Sequence, residues 1–208
     1  AHLERAPQSV AADLEAIPGV ARVHTRISAG AMLPVETQSE PVRAQVISLA
    51  PGRSPLNELK LVKGRMVEPH RSDEAVLLHS FADANAIDVG AEMPAVINGV
   101  WRKLRIVGLA MSPEYVMAIG AGDMTQDPAR FGVVWMSENA LAAGFDMDGA
   151  FNDVAIQLQP GASLDRVVDR TDRLLAPYGG LGAVPRSRQL SNYILEGELL
   201  QIQSMAKV

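Results

Sequence analysis

The chain has 208 residues, a formal net charge of −5, 48% hydrophobic residues and no cysteine. That length suits one large domain or two small ones sharing a core. The acidic balance argues against nucleic acid and against docking on anionic lipid through a basic surface. The missing thiols exclude disulfides, thiolate zinc sites and cysteine nucleophiles.

Residues 1–7 carry no convincing strand pattern. Val10, Leu14 and Ile17 then recur at helical spacing, with Ser9 as the expected N-cap and Pro18-Gly19 as the stop. Val20 to Ile27 reads as a strand, and Met32 to Thr37 and Val42 to Leu49 as two more. Pro51-Gly52 and Ser54-Pro55 then punctuate the chain. Beyond them come strands at Ala75–Leu78, Met93–Ile97, Val100–Ala110 and Phe131–Met136. Asn98-Gly99 predicts a tight hairpin, because a type I′ turn needs two positive φ angles. Ser80 is expected to cap a short alanine-rich helix, and Ser137 to begin another that ends before Gly144. Residues 111–130 join two strands without periodicity, and a connection of that length is usually functional or mobile.

Near the end, Asn152 to Leu158 alternates as a strand and Pro160-Gly161 makes a turn. Ser163 is expected to cap a helix whose Leu164, Val167, Val168, Thr171, Leu174 and Leu175 form one apolar stripe. Leu181 to Pro185 reads as a short strand. Leu190 to Val208 is helical in pattern, with Leu195, Leu199, Ile202 and Ala206 on one stripe and no stop signal. It is expected to be the start of a longer stalk. No window approaches the roughly 18 apolar residues of a membrane span.

Together these elements predict an α+β fold: a split βαβ (porter-like) domain, an inserted mostly-β subdomain and a C-terminal stalk helix. The expected boundaries are 1–54 and 150–188 for the two porter-like halves, 55–149 for the insertion, and 189–208 for a stalk leading to a transmembrane span.

Motifs for chemistry are scarce. There is no phosphate loop, and Gly179-Gly180-Leu181-Gly182 follows a helix where a dinucleotide loop would precede one. His2, His24, His70 and His79 show no metal-ligand spacing. Asp123, Asp127, Asp146, Asp148 and Asp153 sit in or near expected loops, and two such carboxylates could serve a glycosidase. Aromatic platforms are sparse, however, at 4% of the chain. No catalytic, cofactor-binding or metal residue is assigned. Met111, Tyr115, Val116, Met117 and Ile119 remain as apolar residues that either line a partner or substrate surface or tuck into the subdomain core.

Lys63-Gly64-Arg65, Glu74-Ala-Val-Leu-Leu78, Ile106-Val107-Gly108 and Ser112-Pro-Glu-Tyr-Val116 stand in an order that resembles the extracytoplasmic domain of MacB/FtsX-like ABC transporter permeases. The resemblance implies a non-catalytic periplasmic domain, at the outer face of the bacterial inner membrane, that couples cytoplasmic ATP hydrolysis to export or mechanotransmission. It implies no cofactor in this chain, with ATP only on a separate ATPase partner. It also implies a second permease copy or paralogue, and a periplasmic adaptor or hydrolase as a further partner. The alternative within the family is a regulatory module that recruits or activates a cell-wall hydrolase, as FtsX-like permeases are thought to do. A hydrolase using paired carboxylates is the third reading.

Overall fold

A computed structural model describes residues 1–51, 56–115 and 127–186. The expected stalk helix and three residues of the apolar surface (Val116, Met117 and Ile119) lie outside those residues. Among the described residues, no helix is long and apolar enough to cross a membrane.

The chain opens with a strand, β1 (His2–Pro7), which the sequence did not signal. Only Leu3 and Ala6 are buried there, so no period-2 alternation marks it. Helix α1 (Val10–Glu15) buries Val10 and Leu14 and carries the chain over to β2 (Val20–Arg26). Both strands run antiparallel to β10 (Ala150–Leu158), which lies between them. β1 and β2 are therefore parallel, and the unit is a split βαβ. Helix α4 (Leu164–Leu175) follows β10 and buries Val167, Thr171 and Leu175. These elements close a small core around Leu14 and Phe151. The Ser9 and Ser163 side chains make no capping hydrogen bond. Leu181 to Pro185 forms no strand. It gives one backbone bond to β1, from Leu181 N to His2 O at 2.9 Å, and Leu181 and Val184 stay exposed.

The remaining strands form one sheet of seven: β3 (Ser28–Leu33), β4 (Val42–Leu49), β5 (Lys60–Gly64), β6 (Glu74–Leu78), β7 (Glu92–Ile97), β8 (Val100–Met111) and β9 (Phe131–Ser137). β8 is long enough to serve two neighbourhoods. Val100–Arg105 pairs with β7, and its second half pairs with β6 on one edge and β5 on the other. The ring β8-β6-β9-β4-β3-β7 thus closes on itself, with β5 added outside it. Leu33, Val46, Leu77, Leu104, Ile106 and Val134 are fully buried in its core. Helix α2 (His79–Ala84) packs against β6, β8 and β9 through Phe81, and α3 (Glu138–Phe145) against β4 and β9. Ser137 caps α3, its hydroxyl accepting from Ala140 N at 3.3 Å, as the sequence suggests. Ser80 does not cap α2; it lies inside the helix, which starts at His79. The Asn98-Gly99 hairpin is formed, with φ of 50° and 72°.

The sequence predicts Met32–Thr37 and Val42–Leu49 as strands of the first porter-like half, residues 1–54. In the structure the first of these strands is β3, shifted to Ser28–Leu33 because Pro34 cannot donate to the ladder, and both belong to the large sheet. The chain leaves the small sheet at Ile27, with no Gly or Pro to mark the crossing. Pro51 is a turn residue beyond β4, within the β-rich unit, and Gly52, Ser54 and Pro55 lie outside the described residues.

Candidate functional site at the junction of the two sheets

The chain passes between the sheets twice, and the two passages lie side by side. In the first, Ile27 alone separates β2 from β3. In the second, the turn at Asp146–Gly149 feeds β10. Backbone groups at such a crossing leave one ladder before joining the next and need other partners. Asn152 and Ser48 supply them. Asn152 Nδ2 donates to Ser28 O at 2.9 Å, and Ser28 N donates back to Asn152 Oδ1 at 2.8 Å. Ile27 N donates to Ser48 Oγ at 2.8 Å, and Ser48 N donates to Ile27 O at 2.8 Å.

Arg26 braces this crossing. It is the last residue of β2 and stands opposite Asp153 on β10. Its Nε donates to Asp153 Oδ2. Its Nη1 and Nη2 donate to the two oxygens of Glu114, each at 2.6 Å. Glu114 follows β8, so the guanidinium ties the small sheet to the end of the longest barrel strand. Asn57 Nδ2 donates to Glu114 Oε2 at 2.8 Å, and His2 Nδ1 lies 3.0 Å from Asp153 Oδ1. The Arg26, Glu114 and Asp153 side chains are 9%, 18% and 3% exposed. Burial works against the Arg26 charge, but the hydrogen bonds to Glu114 and the charge of Asp153 outweigh it and raise its pKa above the ordinary value. The planar fork explains why arginine stands here: it holds one carboxylate bidentately and a second through Nε, which an ammonium cannot do.

Met111, at the end of β8, is 51% exposed. Tyr115 tucks inward: its ring meets Trp135 edge-on at 6.2 Å, and its hydroxyl donates to Gln45 Oε1 at 3.2 Å. Burial pushes the Tyr115 phenol up from its ordinary pKa. The two do not share a surface environment. Asp153, expected in or near a loop, is a buried strand residue whose carboxylate faces Arg26 and His2. Among the described residues, no group of three or more His, Asp or Glu is placed to hold a metal ion. The Arg26 brace escaped the sequence because its members are 88 and 127 positions apart. The one local hint was Glu114 inside the Ser112-Pro-Glu-Tyr motif.

Residues 3–174 match the family model of the MacB-like periplasmic core domain. No curated protein sequence matches the chain significantly. Among solved structures, the extracellular domain of the ABC-type transporter YknZ from Gram-positive bacteria superposes with a TM-score of 0.52 at 13% identity, over 84% of each chain. The periplasmic region of MacB from Actinobacillus actinomycetemcomitans gives 0.49 at 14% identity, over 86% of this chain and 78% of that one. At such identities the likeness concerns the fold alone.

Proposed function

Because the chain belongs to the MacB-like periplasmic core domain family of ABC transporter permeases, we propose that it is a non-catalytic transmission part, which relays movement driven by a partner ATPase to the periplasm. The observation that supports this reading is the junction. Two short strand crossings and one buried guanidinium join a small split βαβ unit to a closed barrel. Such a joint bends as a hinge between rigid bodies instead of deforming throughout. Glu114 sits at the barrel end of the brace, so displacing the segment after β8 would change how firmly the units are held. The chain itself needs no cofactor for this role. ATP belongs to the partner ATPase, and a second permease copy would complete the assembly.

The test is a distance measurement in the full-length permease with its ATPase. Spin labels at Arg5→Cys on β1 and Lys103→Cys on β8 report the separation of the two units. The distance distribution should shift between the nucleotide-free and ATP-bound states. An unchanged distribution would refute transmission through this joint. If it were combined with stoichiometric binding of a cell-wall hydrolase to the isolated chain, the regulatory reading would stand instead.

A further inference from the structure

The outer edge of β5 is the least protected surface of the barrel. All five of its residues, Lys60 to Gly64, are exposed. Among the described residues β5 pairs only with β8, so alternate backbone N–H and C=O groups along its other side have no ladder partner. A register shift between Leu61 and Lys63 leaves Val62 opposite no residue of β8, and Val62 is 46% exposed. Met66 and Met111, just beyond the strand and across from Lys60, are 41% and 51% exposed. The unpaired edge thus carries exposed apolar side chains, Leu61 and Val62, between two lysines.

It is also rigid. Gly64 and Gly108 let the two backbones touch: a Cβ on Gly64 would lie 2.2 Å from Val107 O, and one on Gly108 would lie 2.3 Å from Arg65 O. Arg65 N donates to Val107 O at 2.9 Å, and the Arg65 guanidinium grips the buried Glu74 carboxylate with two hydrogen bonds. A strand held this firmly does not have to be ordered when something binds to it, which lowers the entropic cost of association.

We propose that β5 is a docking edge for an extended, acidic segment of another protein, which adds as a strand beside Lys60–Gly64. Open backbone donors and acceptors select a strand over a helix. Charge selects the sign. Lys63 is paired with Asp88 at 2.5 Å, but among the described residues Lys60 has no ion-pair partner. A second copy of this chain adding through the same edge would bring no carboxylate of its own β5 to Lys60, because the strand reads Lys-Leu-Val-Lys-Gly, whereas an acidic segment would.

The test uses the purified chain labelled with 15N and three synthetic probes. The first is a short blocked peptide of alternating glutamate and valine. The second replaces glutamate by lysine, and the third is the first with alternate peptide nitrogens methylated. The acidic probe should shift the amide resonances of Lys60–Gly64 and slow their hydrogen exchange, the lysine probe should bind more weakly, and the methylated probe should not bind. Lys60→Glu, an exposed change that leaves the fold intact, should weaken the acidic probe by about two- to fivefold. Equal binding of all three probes, or no response at β5, would overturn the proposal. So would concentration-dependent protection of β5 without any peptide, which would assign the edge to a second copy.

Discussion

At the residue scale, the Arg26 cluster is a set of charges whose worth depends on completeness. Replacing a whole buried ion pair by apolar residues is often harmless, whereas removing one partner leaves a charge without compensation. Arg26→Met strands two carboxylates and should cost about 3–5 kcal/mol. Glu114→Gln keeps the Arg26–Asp153 pair and one hydrogen-bond acceptor, and should cost about 1–3 kcal/mol. Urea unfolding of the two variants checks the order, and equal losses would mean that Glu114 carries the whole brace. Glu74 gives a pH signature. Hydrogen bonding from Arg65, against the opposing effect of burial, holds its carboxyl below the ordinary value. A depressed carboxyl stabilises the fold above its unfolded pKa, about 4.3, and that contribution is lost as pH falls through the lower folded value. Glu74→Gln should therefore flatten the acid side of the stability curve, read as urea midpoints between about pH 3 and 7. Parallel curves for the two proteins would contradict the assignment.

At the element scale, β5 shows how a strand with no buried side chain is still fixed in place. Its residues contribute no core, so its position rests on the ladder to β8 and on the Gly64–Gly108 crossing. Gly64 has a φ of +78° in addition to its close approach. Gly64→Ala should cost about 2–4 kcal/mol from left-handed strain and overpacking together. The loss should be local. Amide exchange would accelerate at Lys60–Gly64 while β4 and β9 stay protected, and uniform acceleration across the barrel would show that β5 is part of the global core. The same element explains why it was invisible as a strand in the sequence. With both faces exposed, Lys-Leu-Val-Lys-Gly has no reason to alternate. β10, half in a core, alternates clearly and is legible by eye.

At the scale of the whole molecule, two hydrophobic cores stand side by side: a small one around Leu14 and Phe151, and a much larger one that fills the barrel. Apolar burial scales roughly with area, so the smaller unit draws far less stabilisation from its own core. Native-state hydrogen exchange should show α1, α4 and β1 opening at lower free energy than β4, β6 and β9. Arg26→Met should widen that gap, because the brace lends the small unit part of the barrel's stability. A single common opening energy for both sheets would mean that the junction does not behave as a hinge.

The local pattern of residues determined what is local in this protein: α1 and α4 from their apolar spacing, the Asn98-Gly99 hairpin from its turn chemistry, β10 from its alternation, and the order of short motifs that points to the family. Those signals depend on neighbours within a few positions. Sheet membership does not. That β3 and β4 join the barrel, that β8 serves two edges and closes the ring, and that Arg26 meets Glu114 and Asp153 all depend on pairings across long stretches of chain. Register and burial are settled only when distant strands compete for the same ladder, so these features emerged from the tertiary structure alone.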